Sequence, residues 1–164
     1  MSKIIFKTPW FELQEIINPK EPKELFYGLN ALDYVTCVPF DKEGKVILIS
    51  QFRPVLNKFC LETPGGQVDN GQSPLEAISN ELIEETGYEF ESIIKINTLD
   101  PDVGRLMNKL HIFKAVNIKN IVSKPEKGIE VKKYHVKEIK ELIKKNIFTT
   151  AYSILALSLA INEI

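Results

Sequence analysis

Short apolar runs, separated by Pro, Gly and charged turn residues, cover most of the 164-residue chain. Runs of this length that are rich in Val, Ile, Phe and Tyr predict β-strands. The predicted strands are residues 3–7, 10–17, 25–28, 33–40, 45–52, 58–63, 90–98, 109–118 and 130–136. Two helices are expected near the end of the chain, over residues 137–145 and from Thr149 or Thr150 to Ile161.

The segment from Ser73 to Gly87 predicts an α-helix with signals at both ends. Ser73 supplies a hydroxyl N-cap, Pro74 takes the first helical position, and Glu76 completes a capping box. Gly87 is expected to end the helix in the left-handed conformation. The apolar positions predicted to face the core are Leu75, Ile78 and Leu82.

Three carboxylates share another face of this helix, because Glu81 precedes Glu84 by three residues and Glu85 by four. Like charges at this spacing repel by about a few tenths of a kcal/mol per pair, and surface helices usually offset them with lysines. Residues 62–102 instead contain ten acidic residues and a single basic one. Clustered oxygen ligands suit hard divalent cations, so we predict a site for Mg²⁺ or Mn²⁺. A solvated acidic helix is the alternative.

Composition and charge limit the classes of protein to consider. With 44% hydrophobic and 26% charged residues, the chain is expected to form one domain spanning residues 1–164. A net charge of −1 predicts no general attraction to nucleic acid or to an anionic membrane. The ten lysines of residues 114–145 are interpreted as a solvated face.

The cysteines and the ends of the chain indicate the compartment. Cys37 and Cys60 both lie in apolar, strand-like runs, and buried reduced thiols are typical of intracellular proteins. The first ten residues lack the apolar core of a secretory signal. The apolar segment ending at Ile161 is shorter than the roughly 20 residues that a membrane span requires. We therefore expect a cytoplasmic protein with no membrane span.

The segment from Gly66 to Tyr88 resembles the signature box of the Nudix hydrolases. That box reads G-x5-E-x7-R-E-U-x-E-E-x-G-U, where U is a bulky apolar residue. Counted from Gly66, the matching positions are Glu81, Leu82, Glu84, Glu85, Gly87 and Tyr88. Two positions differ, since Gln72 stands in place of Glu and Asn80 in place of Arg. These two residues commonly form a bridge in the family, and here a neutral Gln–Asn hydrogen bond is expected to replace it.

The flanks of the box resemble those of ADP-ribose pyrophosphatases. The preceding sequence reads ISQFRP…LETPGGQVDNG. By this resemblance Arg53 would contact a substrate phosphate, which suits its planar guanidinium, whereas a surface ion pair is the alternative. Glu62 would line the site, and the backbone carbonyl of Gly65 would bind metal. In the downstream loop PDVGRLMNKLH, Arg105 would either reach a phosphate or stabilise the loop through an ion pair.

The same resemblance leaves the general base open. Many ADP-ribose pyrophosphatases place a Glu on the downstream loop, whereas this chain has Asn108, which cannot accept a proton. Either Glu84 or Glu85 would then supply the base, or Asp100 or Asp102 would reach the site, or activity would be weak. Both histidines, His111 and His135, are interpreted as packed or hydrogen-bonded residues rather than catalysts.

The N-terminal strands, residues 1–30, correspond to the region where nucleoside-diphosphate-sugar members of the family build dimers and part of the substrate pocket. Trp10 would stack against the substrate base, with Phe26 and Tyr27 as further candidates. Plain packing within an edge sheet is the alternative for each of them. A homodimer is the expected assembly.

Taken as a whole, the resemblance implies a Nudix α/β/α sandwich with a mixed β-sheet. It implies metal-dependent hydrolysis of the diphosphate bond in ADP-ribose or a related nucleotide sugar, giving a nucleoside monophosphate and a sugar phosphate. Glu81, Glu84 and Glu85 would be catalytic and would bind Mg²⁺ (or Mn²⁺), with Glu84 as a further ligand or the base. A catalytically weak nucleotide-binding module is the alternative. A nucleoside-triphosphate or capped-RNA pyrophosphatase is a further one.

Overall fold

Two β-sheets and three α-helices make up the computed structural model, which describes residues 2–162. The strands are β1 (Ser2–Lys7), β2 (Phe11–Ile17), β3 (Leu25–Ala31), β4 (Tyr34–Phe40), β5 (Val46–Arg53), β6 (Lys58–Glu62), β7 (Gly65–Gln67), β8 (Tyr88–Leu99), β9 (Leu110–Ile121) and β10 (Glu130–Tyr134). The helices are α1 (Pro74–Thr86), α2 (Val136–Lys144) and α3 (Ala151–Asn162). Each run predicted to be a strand forms one, with its ends displaced by at most a few residues.

The larger sheet is mixed, as expected. Its strand order is β10-β5-β4-β9-β8, with β6 paired to β5 and β7 paired to β4. The central strands β4 and β9 run parallel, in a register that sets Tyr34 beside Leu110 and Phe40 beside Val116. The other pairs in this sheet are antiparallel. Because β4 carries β7 along its first three residues, the glycine-rich segment 65–67 is held against the middle of the sheet.

Side chains that alternate along the central strands pack into two separate hydrophobic cores, one on each face of the sheet. On one face Cys37, Ile47 and Phe113 pack with Ile78 and Leu82 of α1. The opposite face buries apolar side chains beneath α2 and α3; this second core includes Val38, Leu48, Ile112, Ile139 and Leu157. Each large aliphatic side chain buried in this way stabilises the fold by about 1.5–3 kcal/mol. The two cores confirm the α/β/α sandwich.

The smaller sheet, in the order β1-β2-β3, stands apart from the sandwich. Its contact with the rest of the chain includes a parallel bridge between Leu29 and Leu106, in which the Met107 N–H donates to the Leu29 carbonyl at 3.0 Å. All six residues of β1 are exposed, among them the apolar Ile4, Ile5 and Phe6. A three-stranded sheet therefore presents an uncovered apolar edge at the start of the chain.

Two expectations need correction or completion. Leu75 is 49% exposed, so its assignment to the core was wrong, whereas Ile78 and Leu82 are buried together with Ala77. Leu75 lies in the first turn of α1, where its side chain lines a surface concavity together with Gln72 and Ser79. The three-residue strand β7 had not been predicted, because it contains no apolar run. No helix within residues 2–162 is long and apolar enough to cross a membrane.

Candidate active site

The helix α1 has both of its predicted ends. Ser73 Oγ accepts from the Glu76 N–H at 3.3 Å, and Glu76 Oε2 accepts from the Ser73 N–H at 2.8 Å. Gly87 takes the left-handed conformation with φ 76°, and its N–H donates to the Ile83 carbonyl at 2.8 Å. These caps fix the length of α1, and the burial of Ile78 and Leu82 fixes its rotation, so that its last two turns hold the acidic face towards β7.

Glu85 is the most deeply buried carboxylate of that face, with 6% of its surface exposed. Its Oε2 accepts a hydrogen bond from the Gly65 N–H at 2.8 Å. Burial raises the pKa of Glu85 to about 8, the bond from Gly65 opposes this rise only in part, and the charge of Glu81 adds to it. The negative charge of Glu85 is therefore poorly compensated by the protein alone.

Glu81 lies directly over Gly66. A Cβ at position 66 would be 1.9 Å from Glu81 Oε1, so only glycine leaves room for the carboxylate in this place. Burial, followed by repulsion from Glu84 and Glu126, raises the pKa of Glu81 to about 7. Glu84 itself is exposed on the neighbouring turn. The three predicted carboxylates thus lie on one face, ranging from buried to exposed.

Gly65 brings the main chain into close contact with β4. A Cβ at position 65 would be 2.1 Å from the Val35 carbonyl oxygen. The preceding Pro64 carbonyl accepts from the Cys37 N–H at 2.9 Å and from the Thr36 hydroxyl at 3.2 Å. The Gly65–Gly66 segment is therefore a fixed cradle, with one carboxylate bonded to it and another packed on it.

Arg53 and Glu62 form a two-point ion pair beside this cradle. Arg53 Nε donates to Glu62 Oε1 at 2.8 Å, and Arg53 Nη2 donates to Glu62 Oε2 at 2.6 Å. The pair raises the pKa of Arg53 above its ordinary value. Glu62 is buried, but 42% of the Arg53 side chain is exposed. Glu62 is the last residue of β6 and precedes Gly65 by three residues, and the charges of both groups influence the pKa of Glu85.

Arg53 thus forms the ion pair that had been considered as an alternative, although its partner is buried rather than on the surface. The guanidinium still presents part of its edge to solvent, and the phosphate contact stays a prediction.

Two other predicted substrate-binding residues belong to the smaller sheet and to the loop attached to it. Trp10 is 69% exposed at the turn between β1 and β2, where its main-chain N–H donates to Thr8 Oγ1 at 3.1 Å. Arg105 is exposed, and its Nη1 donates to the adjacent Gly104 carbonyl at 2.6 Å. The Arg105 carbonyl accepts from the Leu29 N–H at 2.7 Å, so this loop is attached to the smaller sheet. Their binding roles stay predictions.

Asn108 is buried rather than directed at a substrate. Its Nδ2 donates to the Leu32 carbonyl at 3.1 Å, and its Oδ1 is buried with no hydrogen-bond partner among the described residues. Asp100 forms an ion pair with Lys109, and Asp102 Oδ1 accepts from the Gly104 N–H at 2.8 Å. All three loop side chains thus have structural contacts within or beside the loop.

The expected substitute for the family's charged bridge is absent from the described part of the chain. Gln72 Oε1 accepts from the Asp69 N–H at 3.3 Å, and Asn80 is exposed. Both side chains line a shallow concavity of about 760 Å³. Gln72 therefore stabilises its own turn instead of bonding to α1.

His111 is hydrogen-bonded through both ring nitrogens, as expected, whereas His135 is an exposed residue that is bonded through its main chain. His111 Nδ1 lies 2.9 Å from Thr98 Oγ1, and its Nε2 lies 3.2 Å from Asp33 Oδ2. The His135 N–H donates to Glu138 Oε2 at 2.6 Å and begins α2.

A divalent cation fits the donor set. Within residues 2–162 no three His, Cys, Asp or Glu side chains converge closely enough to form a complete cage. Mg²⁺ does not need one, since it keeps several waters and is held by one or two carboxylates together with substrate phosphates. Glu81 and Glu85, whose pKa values are raised mainly by burial and further by neighbouring carboxylates, are two such carboxylates beside the glycine cradle.

A further group of polar residues near the site is not among the predicted site residues. The Tyr152 hydroxyl donates to Glu62 Oε2 at 2.7 Å, and the Thr63 N–H donates to Ser153 Oγ at 3.0 Å. Tyr152 and Ser153 lie in the first turn of α3, within a mostly apolar segment whose pattern predicts only a packing helix. Their partners are far away in the chain, and no local pattern indicates such contacts.

Comparison with known proteins gives consistent results. The model of the NUDIX domain family matches residues 32–153. An ADP-ribose pyrophosphatase of Bacillus subtilis is 33% identical over 51% of this chain and 45% of its own length. An ADP-ribose pyrophosphatase of Saccharomyces cerevisiae is 33% identical over 63% of this chain and 46% of its own length. In each case the match covers less than half of the curated relative.

The fold also has a close counterpart among solved structures. A crystal structure of an ADP compounds hydrolase superposes with a TM-score of 0.81, at 17% identity, over 97% of this chain and 89% of the other.

Proposed function

Because the chain belongs to the NUDIX domain family, we propose that it hydrolyses the diphosphate bond of a nucleoside diphosphate linked to another group. The proposed substrate is ADP-ribose or a related nucleotide sugar, and the products are a nucleoside monophosphate and a sugar phosphate. One observation carries the proposal: Glu81 and Glu85 meet the Gly65–Gly66 cradle directly beside an arginine. The relatives named ADP-ribose pyrophosphatase support the choice of substrate.

Each part of the site has a separate task in this reaction. Glu81, Glu85 and the carbonyl of Gly65 would hold Mg²⁺ or Mn²⁺. When bound, the cation supplies charge neutralisation at the diphosphate oxygens and a more acidic water. Arg53 would orient the diphosphate through the exposed edge of its guanidinium, while Glu62 holds the other edge.

Glu84 is the proposed general base. Its side chain is exposed, whereas Glu85 is buried and already accepts from Gly65. A base must reach the water from which it removes a proton, and an exposed carboxylate on the same helical face can do so. Asn108 cannot take this role, and Asp100 and Asp102 are engaged within their loop.

The whole chain is proposed to act as one domain that forms a homodimer in the cytoplasm. The uncovered apolar edge at β1 supports a second copy as the partner of the smaller sheet. In such a dimer Trp10 and Arg105, which both lie on the side of the smaller sheet, would complete the substrate pocket. The free, buried thiols of Cys37 and Cys60 support an intracellular location.

A nucleotide-binding module with little turnover is the second candidate. The buried Asn108 favours it, since that residue cannot supply a base on the downstream loop. Intact carboxylates favour the enzyme, because they would repel an anionic nucleotide unless a cation were present.

A substrate panel tests the proposal. Release of phosphate-containing products is measured for ADP-ribose, GDP-mannose, UDP-glucose, diadenosine polyphosphates and nucleoside triphosphates, with Mg²⁺ and with Mn²⁺. Glu85→Gln serves as the blank. Selective cleavage of a nucleotide sugar supports the proposal. Cleavage of triphosphates alone rejects the substrate class. No cleavage, with ADP-ribose still raising the melting temperature, supports the binding module.

A further inference from the structure

A buried hydroxyl network joins α3 to the turn before β7. Ser153 and Thr63 are 0% and 1% exposed. The N–H and the hydroxyl of Thr63 both donate to Ser153 Oγ, at 3.0 and 2.9 Å. Thr36 Oγ1 lies 2.7 Å from Thr63 Oγ1 and donates to the Pro64 carbonyl at 3.2 Å. Buried polar groups are costly to leave unpaired, so this network resists any shift of the turn.

The network ends at the proposed cation cradle. Thr63 is separated from Gly65 by a single proline, whose carbonyl is bonded to β4. The Gly65 N–H in turn donates to Glu85 Oε2 at 2.8 Å. Displacement of Thr63 would therefore move Gly65 relative to Glu85.

The neighbouring residue of α3 acts on a different part of the site. The Tyr152 hydroxyl donates to Glu62 Oε2 at 2.7 Å, the same oxygen that accepts from Arg53 Nη2 at 2.6 Å. Two residues before Tyr152, Thr150 Oγ1 donates to the Leu61 carbonyl at 3.0 Å and holds the end of β6. Glu62 is thus fixed from one side by α3 and directs Arg53 from the other.

We propose that Ser153 and Tyr152 are positioning residues for two separable parts of the active site. Ser153 sets the distance between Gly65 and Glu85, and therefore the affinity for a divalent cation. Tyr152 sets the orientation of the Glu62–Arg53 pair, and therefore the binding of the diphosphate. The kinetic consequences rest on the proposed function, whereas the structural consequences do not.

Single removals of each hydroxyl test the two roles. Ser153→Ala should weaken Mn²⁺ binding about tenfold by calorimetry and lower kcat for ADP-ribose by a similar factor, with KM within about twofold of wild type. Tyr152→Phe should raise KM about tenfold and leave the Mn²⁺ affinity unchanged. Ser158→Ala, on the exposed side of α3, is the matched control for a lost hydroxyl. Ile139→Val, which trims the core beneath α2, controls for lost stability.

Amide exchange in the metal-free protein separates this inference from the proposed function. Ser153→Ala should speed exchange of the Gly65 amide about tenfold, and Tyr152→Phe should speed exchange of the Arg53 Nε–H, relative to Ile139→Val. If wild type cleaves no nucleotide but these changes are seen, the proposed function fails and the positioning roles hold. If exchange and kinetic constants of both variants equal those of Ile139→Val, the inference is overturned.

Discussion

Replacement of Glu85 by Gln should stabilise the metal-free protein at alkaline pH while it abolishes turnover. Burial raises the pKa of Glu85 to about 8 from an ordinary value near 4.5. Between these pH values the folded state retains a proton that the unfolded chain has released. The free energy of unfolding therefore falls as the pH rises through this window. Gln has no charge to bury, yet its carbonyl oxygen can still accept from the Gly65 N–H.

The magnitude follows from the size of the pKa change. A tenfold change in a protonation equilibrium corresponds to about 1.4 kcal/mol, so the rise from 4.5 to about 8 sets an upper limit of about 5 kcal/mol. Relaxation and water penetration around an ionised carboxylate reduce that figure. We expect Glu85→Gln to gain about 1–3 kcal/mol relative to wild type between pH 4.5 and pH 8.5. In a domain of this size, each kcal/mol of added stability raises the melting temperature by about 2–4 °C.

Urea unfolding in the presence of a chelator, at pH 4.5, 6.5 and 8.5, measures the difference. Glu141→Gln, on the exposed surface of α2, is the control and should show no such trend. Addition of Mn²⁺ should reverse the order, because a ligand that binds only the folded wild type stabilises it by mass action. A stability difference between Glu85→Gln and wild type that is independent of pH would refute the reasoning.

Three further predictions concern other parts of the molecule. Gly66→Ala should weaken Mn²⁺ binding at least tenfold in calorimetry, because the new Cβ would lie 1.9 Å from Glu81 Oε1 and displace that carboxylate. Circular dichroism should show that the fold is retained. An unchanged affinity would contradict the proposed role of Gly66 in placing Glu81. Gln72→Glu combined with Asn80→Arg should leave kcat within about twofold of wild type, since Gln72 serves its own turn; a large gain would show that the neutral pair limits turnover. Phe6→Glu should convert the proposed dimer to a monomer in light scattering, because it places a charge on the exposed apolar edge; an unchanged mass would place the interface elsewhere.

Local signals in the sequence carried the prediction of α1 and its carboxylates. The hydroxyl cap at Ser73, the glycine at 87 and the three- and four-residue spacing of Glu81, Glu84 and Glu85 depend only on neighbours along the helix. The same is true of most strands, whose apolar runs are contiguous. Features of this kind need no knowledge of which strand lies beside which.

Long-range register determined what could not be predicted. The strand β7 exists because β4 lies beside it, and its Gly-Gly-Gln sequence has no strand signal of its own. The exposure of Leu75 depends on where α1 first meets the sheet. Tyr152 and Ser153 reach partners about ninety residues earlier in the chain. Such contacts become visible only when the sheet order is known.

The parallel pairing of β4 with β9 has a consequence for folding kinetics. These strands are far apart in sequence, and both α1 and β8 lie between them. Closing so long a loop slows folding, because the chain loses conformational entropy before the contacts between the two strands have formed. The core beneath α1 includes Phe113 and Ala115 of β9, so the surface on which α1 docks is incomplete until β4 and β9 have paired. The recovery of Mn²⁺ binding during refolding should therefore follow the slowest phase of sheet formation, and Trp10, on the smaller sheet, will report a different event.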